Sequence, residues 1–196
     1  MRPTDRVYSA LRAKGLLLQQ DKTLPSVVGL ITGEALRTSW WSHPRGRTIF
    51  AVLSELADRR DVLFTKLLRG KSTLVHRRLW PALLAVGAAR DRWQLDRLST
   101  GARRVLRAVD RDEGPVRATG AFASELESRL LVVARQIHTD EGRHELVLQG
   151  WRAWAAAVKC RRVRSVPSAK RALELAASRL GATADALPWR AGGAGA

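Results

Sequence analysis

The sequence predicts a mainly α chain with two small β-hairpins, an α+β class in which one helix-and-hairpin frame is used twice. Three observations predict it. Residues 39–80 read as a helix followed directly by a tight hairpin: Ile49, Val52, Leu53 and Leu56 hold the i, i+3, i+4, i+7 spacing of one buried helix face. Val62–Leu68 is rich in β-formers, Arg69-Gly70-Lys71 is a short turn, and Ser72–Leu79 returns. The frame then recurs. ELADRRDVLFTKLLRGKSTLVHRRLWPALLAV (55–86) aligns with ELESRLLVVARQIHTDEGRHELVLQGWRAWAAAV (125–158), with Glu55/Glu125, Gly70/Gly142 and Trp80/Trp151 offset by 70 to 72 residues. Helix, strand, basic turn, strand is the order of a winged helix, so the expectation is a tandem winged helix-turn-helix.

The elements follow in order. Residues 5–15 form a helix with Val7, Tyr8 and Leu11 inward. Leu16–Asp21 leads through Pro25 to a short helix, Val27–Thr32, capped by Ser26 and stopped by Gly33. Glu34–Ser39 is a connection. Ser42 caps the central helix and Pro44 sits in its first turn, where a missing N–H costs nothing. After the first hairpin, Pro81 starts a helix running to about Leu98. Ser99 or Thr100 caps Ala102–Asp110, Arg111–Gly114 is a polar turn and residues 115–120 are a connection. Phe122–Arg129 is a helix with Phe122 and Leu126 inward, Leu130–His138 and Arg143–Gln149 are strands about the turn 139–142, and Trp151–Val158 is helical, with Trp151 and Trp154 sealing the second core. Ser168 caps a last helix to Leu180, stopped by Gly181, after which Leu187 and Trp189 dock back on the body. The domain reading is 1–98 first winged helix, 99–160 second winged helix, 161–189 helical appendage and 190–196 disordered tail.

Charge is the strongest global signal. Lys plus Arg total 35 against 18 Asp plus Glu, a net charge of +17. Codon bias explains arginine over lysine but not the twofold excess of base over acid, which favours a polyanionic partner. No helix shows a strongly basic face opposite a bulky apolar one, and no apolar run is long enough to span a bilayer, so no membrane partner is expected. The N-terminus lacks an apolar signal core, and the expected location is the cytoplasm, in association with the nucleoid. The single cysteine, Cys160, excludes an internal disulfide framework and a cysteine zinc cluster, and reads as a helix-terminal residue.

In a winged helix the start of the recognition helix approaches a groove and the wing meets phosphate. His43, Arg45 and Arg47 hold the first position, Arg69 and Lys71 the wing tip, and Arg77 and Arg78 the returning strand. Trp40 and Trp41 beside them suit a wedge or a base stack, or one or both pack under the helix as core. The second unit has Glu125 and Glu127 on its helix and Asp140 and Glu141 at its turn, and acids there repel phosphate, so it reads as a structural or pairing module. His138, His144 and Glu145 flank that turn without a further ligand nearby, so they read as surface hairpin residues; no metal and no cofactor are expected.

Only Gln19-Gln20-Asp21 invites chemistry. With the tandem winged-helix frame and a Leu-rich stretch before it, the chain resembles the bacterial alkylpurine and crosslink DNA glycosylases built from winged helices. In that family a Gln-x-Asp or Gln-x-Gln pair positions and activates the water that displaces a damaged base. The resemblance implies base excision on duplex DNA without a metal, with Gln19 positioning water and Asp21 as base or electrostatic stabiliser. The expectation is therefore a duplex-DNA-binding protein for repair or regulation. The alternatives are a small DNA glycosylase acting on damaged duplex, and an RNA- or ribosome-associated protein.

Overall fold

Pro3 begins the first helix, α1 (Pro3–Lys14), and Gly15 ends it with a φ of 86° and an N–H donated to the Leu11 carbonyl at 2.7 Å. A computed structural model describes residues 1–111, 115–118, 120–138, 144–161, 163 and 165–190, with only the backbone of 136–138 and 144–145. After α1, Leu16–Leu18 forms a strand, β1, where the sequence indicates only a connection. All three leucines are buried, so the strand carries no alternation to betray it; pairing with a later strand creates it. The short helix α2 (Val27–Thr32) has the expected bounds, with the Ser26 hydroxyl accepting the Gly29 N–H at 3.0 Å and Gly33 at φ 88°.

The central helix begins later than expected. Trp40–Ser42 is a 3-10 turn capped by Ser39, and α3 runs Gly46–Ala57. Ser42 is therefore not its cap: the backbone N–H of Arg45 goes to His43 Nδ1 at 3.0 Å. Ile49, Val52 and Leu56 are buried, and Leu53 packs against the same core. β2 (Val62–Leu68) has the expected bounds. β3 covers Lys71–His76, so Arg77 and Arg78 leave the strand for a 3-10 turn, Arg77–Leu79. The hairpin turn is two residues, Arg69 at φ 53° and Gly70 at φ 65°, the left-handed pair that suits strand twist. The sheet order is β1-β3-β2, all antiparallel.

The helix expected from Pro81 to Leu98 is two helices. α4 (Trp80–Gly87) and α5 (Arg92–Leu95) are separated at Arg90, whose φ is 58°. α6 (Thr100–Arg111) follows, with the Ser99 hydroxyl accepting the Ala102 N–H at 3.1 Å. Within the expected connection 115–120 lies a two-residue strand, β4 (Val116–Arg117). α7 (Gly120–Ser128) leads to β5 (Val133–His138), delayed from Leu130 because that residue sits at φ 52°. β6 (His144–Gln149) pairs with both, giving the order β4-β6-β5, which repeats that of the first sheet. The turn 139–142, with Asp140 and Glu141, lies outside the described residues, as do residues 112–114 and 191–196.

α8 (Trp151–Ala157) and α9 (Val166–Leu180) close the chain, the latter capped by Ser165 rather than Ser168. Two apolar cores result. The smaller is built from α6, α7, Leu131 and Val132 just before β5, and Leu148 of β6. The larger takes everything from Val7 to Val86 and also α8 and α9. Trp151 and Trp154 therefore seal the junction with α4, not the second core. Trp154 meets Trp80 edge-on at 5.2 Å, and the Trp151 indole N–H donates to the Leu130 carbonyl at 2.7 Å. Ala169, Leu173, Ala176, Ala177 and Leu180 make α9 part of the main core rather than an appendage, and Leu187 docks fully buried behind it. The junction near residue 98 is bolted: buried Gln94 donates its amide to the carbonyls of Gly87, Arg129 and Leu130, and Arg129 donates to Trp93, Gln94 and Asp96. Among the described residues no helix is long and apolar enough to cross a membrane.

Candidate nucleic-acid interface

The tryptophan pair divides its labour. Trp40 is 5% exposed and belongs to the main core, whereas Trp41 is 67% exposed. Their rings stack at 4.1 Å between centroids with 23° between planes, so the buried indole is a fixed floor for the exposed one. Phe50, one turn into α3 and 51% exposed, lies 5.8 Å from Trp41. The backbone holds this ledge in place. A Cβ on Gly46 would come within 3.1 Å of the Trp41 carbonyl oxygen and 3.2 Å of that of Trp40, so a larger residue would push this backbone aside by a few tenths of an ångström. Arg47 is exposed one residue further on, without a hydrogen bond or ion pair among the described residues, and no acid occupies the first turn of α3.

The other basic residues expected at the interface separate into braces and cations without a side-chain partner among the described residues. The Arg45 guanidinium donates to the Ile31 carbonyl at the end of α2. His43 is occupied through Nδ1 by the Arg45 N–H, with Nε2 4.0 Å from Glu34. Arg78 donates to the Ala13 carbonyl at 2.8 Å, satisfying the C-terminal end of α1. Arg69 keeps an exposed side chain, but its backbone N–H donates to Ala186 at 2.7 Å, so the hairpin tip is fastened to the C-terminal segment. Arg77 is exposed at the opposite end of β3 from that tip, about 20 Å away at strand rise. The structure thus sets Trp41 against Phe50, with Arg47 in the first turn of the same helix as Phe50, and puts Arg77 at the other end of β3 from the hairpin tip.

Lys71 reaches inward to Asp21, with Nζ 2.6 Å from Oδ2. The Asp21 side chain is 1% exposed, and its Oδ1 accepts the N–H groups of Thr23 (2.9 Å) and Leu24 (3.0 Å) and the Thr23 hydroxyl. Burial alone would raise this carboxyl, but the Lys71 ammonium and the donors of Thr23 and Leu24 outweigh it and hold Asp21 well below the usual carboxylate range. A carboxylate so enclosed and saturated has no open face for a water, and it clamps the loop before α2. Gln19 is half-buried and uses its backbone, donating its N–H to Ser72 and accepting from Val28. Gln20 braces the loop leading to the tryptophans through Thr38 at 2.7 Å. Two surface hollows, of about 390 Å³ beside Leu84, Ala155 and Cys160 and about 440 Å³ beside Arg90, Asp110 and Arg152, include neither Asp21 nor the tryptophan pair.

One basic surface escaped the sequence reading. α6 buries Ala102, Leu106 and Val109 and exposes Arg103, Arg104, Arg107 and Arg111, so a helix with a basic face opposite an apolar one does exist. The i, i+3, i+7 spacing of Arg104, Arg107 and Arg111 was its signal. With this geometry in view, no family model, no curated protein and no solved structure matches the chain.

Proposed function

We propose that the protein binds duplex DNA through the Trp41–Arg47–Phe50 ledge at the start of α3. The order α1-β1-α2-α3-β2-β3, with β1 paired to β3, supports reading residues 1–98 as a winged helix with α3 as its recognition helix. The order α6-β4-α7-β5-β6, with β4 paired to β6, supports a second such unit without a counterpart of α2.

The observation that carries the reading is the exposed ring of Trp41 stacked on a buried partner, near an arginine, Arg47, that has no partner among the described residues, in a chain of net charge +17. An exposed ring held on a buried floor suits a wedge between base steps of a duplex. The enclosure of Asp21 gives the glycosylase alternative no support. The reading is tested by fluorescence anisotropy with duplex DNA, duplex RNA of the same sequence and anionic vesicles. Tightest binding to duplex DNA, weakening steeply with salt, is expected; preference for RNA or vesicles overturns it.

A further inference from the structure

We infer that α6 is a second, sequence-independent phosphate-binding face, which lies along one strand of a duplex while the first unit contacts it through the tryptophan ledge. The inference rests on the duplex-DNA reading and assigns phosphate contact to the unit that the sequence reads as a structural or pairing module.

Arg104, Arg107 and Arg111 are exposed and make no hydrogen bond or ion pair with any described residue. At 3.6 residues per turn they fall within about 60° of one another around the helix axis. They extend about 10 Å along it, close to three phosphate-to-phosphate steps along the axis on one strand of B-form DNA. The other charges of the helix are spent. Arg103 donates to the carbonyls of Leu98 and Leu95, and Asp110 pairs with Arg90. Glu125, from α7, is held at the helix start by the Ser99 N–H and hydroxyl at 2.8 and 2.6 Å, at the opposite end from Arg111. Asp112 and Glu113, next in sequence, lie outside the described residues.

A bilayer is the other polyanionic surface a basic helix serves. Such a helix inserts its apolar face, and here Ala102, Leu106 and Val109 are committed to the second core. A rigid stripe of guanidinium groups on a fully packed helix suits a fixed array of phosphates better than a fluid surface.

The test uses the full chain with the triple variants R104A/R107A/R111A and R104K/R107K/R111K, binding a 30-base-pair duplex across a salt series. The alanine variant is expected to lose about 2.7 from the slope of log affinity against log salt, 0.9 for each phosphate contact, and to bind more weakly on every sequence tried. The lysine variant keeps charge and is expected to keep the slope. Wild-type slope in the alanine variant overturns the α6 face while leaving the duplex reading intact. Loss of the slope in both variants overturns the charge argument. Absence of any duplex binding by wild type, with capture on vesicles containing 30% phosphatidylserine, removes the duplex reading and this inference together.

Discussion

Lys71 Nζ and Asp21 Oδ2, fifty residues apart in sequence, meet at 2.6 Å and close the tip of the first hairpin onto the loop before α2. The lysine that sequence reading places at a wing tip facing DNA, and the aspartate it places beside a reactive water, are spent on each other. The carboxylate lies lower than in the unfolded chain, so its contribution to stability is present above about pH 4 and is lost as pH falls through the folded value. D21N is expected to cost about 2 kcal/mol at pH 7, the scale of hydrogen bonds to a charged group. The gap from wild type should narrow as pH drops from 4 towards 2 in urea unfolding. A gap that stays constant would contradict the pairing.

The arginines separate by what they hold. R78A and R45A each strip a donor from a helix-end carbonyl and are expected to lower stability by about 1 kcal/mol. Arg47 touches no described partner, so R47A should leave the unfolding free energy within about 0.5 kcal/mol of wild type. Equal losses in all three would refute the division into braces and cations without a described partner.

Much of the frame was legible and the destinations were not. Ser26, Gly33, Val62–Leu68 and the Arg69-Gly70 turn announce themselves because capping, turn and β-propensity signals are local. β1 and β4 were missed because three leucines and a Val-Arg pair become strands only when β3 and β6 pair with them. The break after α4 depends on Arg90 adopting φ 58°, which no residue preference foretells. Of the candidate site, the Trp pair and Arg47 were visible. Which ring is buried, and which arginine finds a carbonyl, is decided by tertiary contacts such as Ile31 with Arg45 and Ala13 with Arg78.

Glycine positions report on the junction between units. A Cβ on Gly87 would stand 2.3 Å from the Trp151 ring, itself buried and hydrogen-bonded to Leu130. G87A is expected to cost about 2 kcal/mol, in the range of overpacked cores. G101A meets Phe122 at the same distance, but that ring is half-buried and has room to turn, so its cost should be smaller. Thermal unfolding of both variants decides; a harmless G87A would contradict the packing of α8 on α4.

The C-terminal helix belongs to the main core, so L173A is expected to cost about 3 kcal/mol. A chain ending at Cys160 should lose cooperative unfolding by circular dichroism. A truncated chain that melts like wild type would restore the appendage reading.

The most direct test of the tryptophan ledge is the affinity of W41A and R47A for duplex DNA beside that of R77A, which sits at the far end of β3. Loss of a stacked base is worth about 1–3 kcal/mol, so W41A should bind at least fivefold more weakly. R47A should lose about one unit of salt slope uniformly across sequences, and R77A should change less than either. Wild-type affinity in W41A and R47A together would contradict the assignment of the interface.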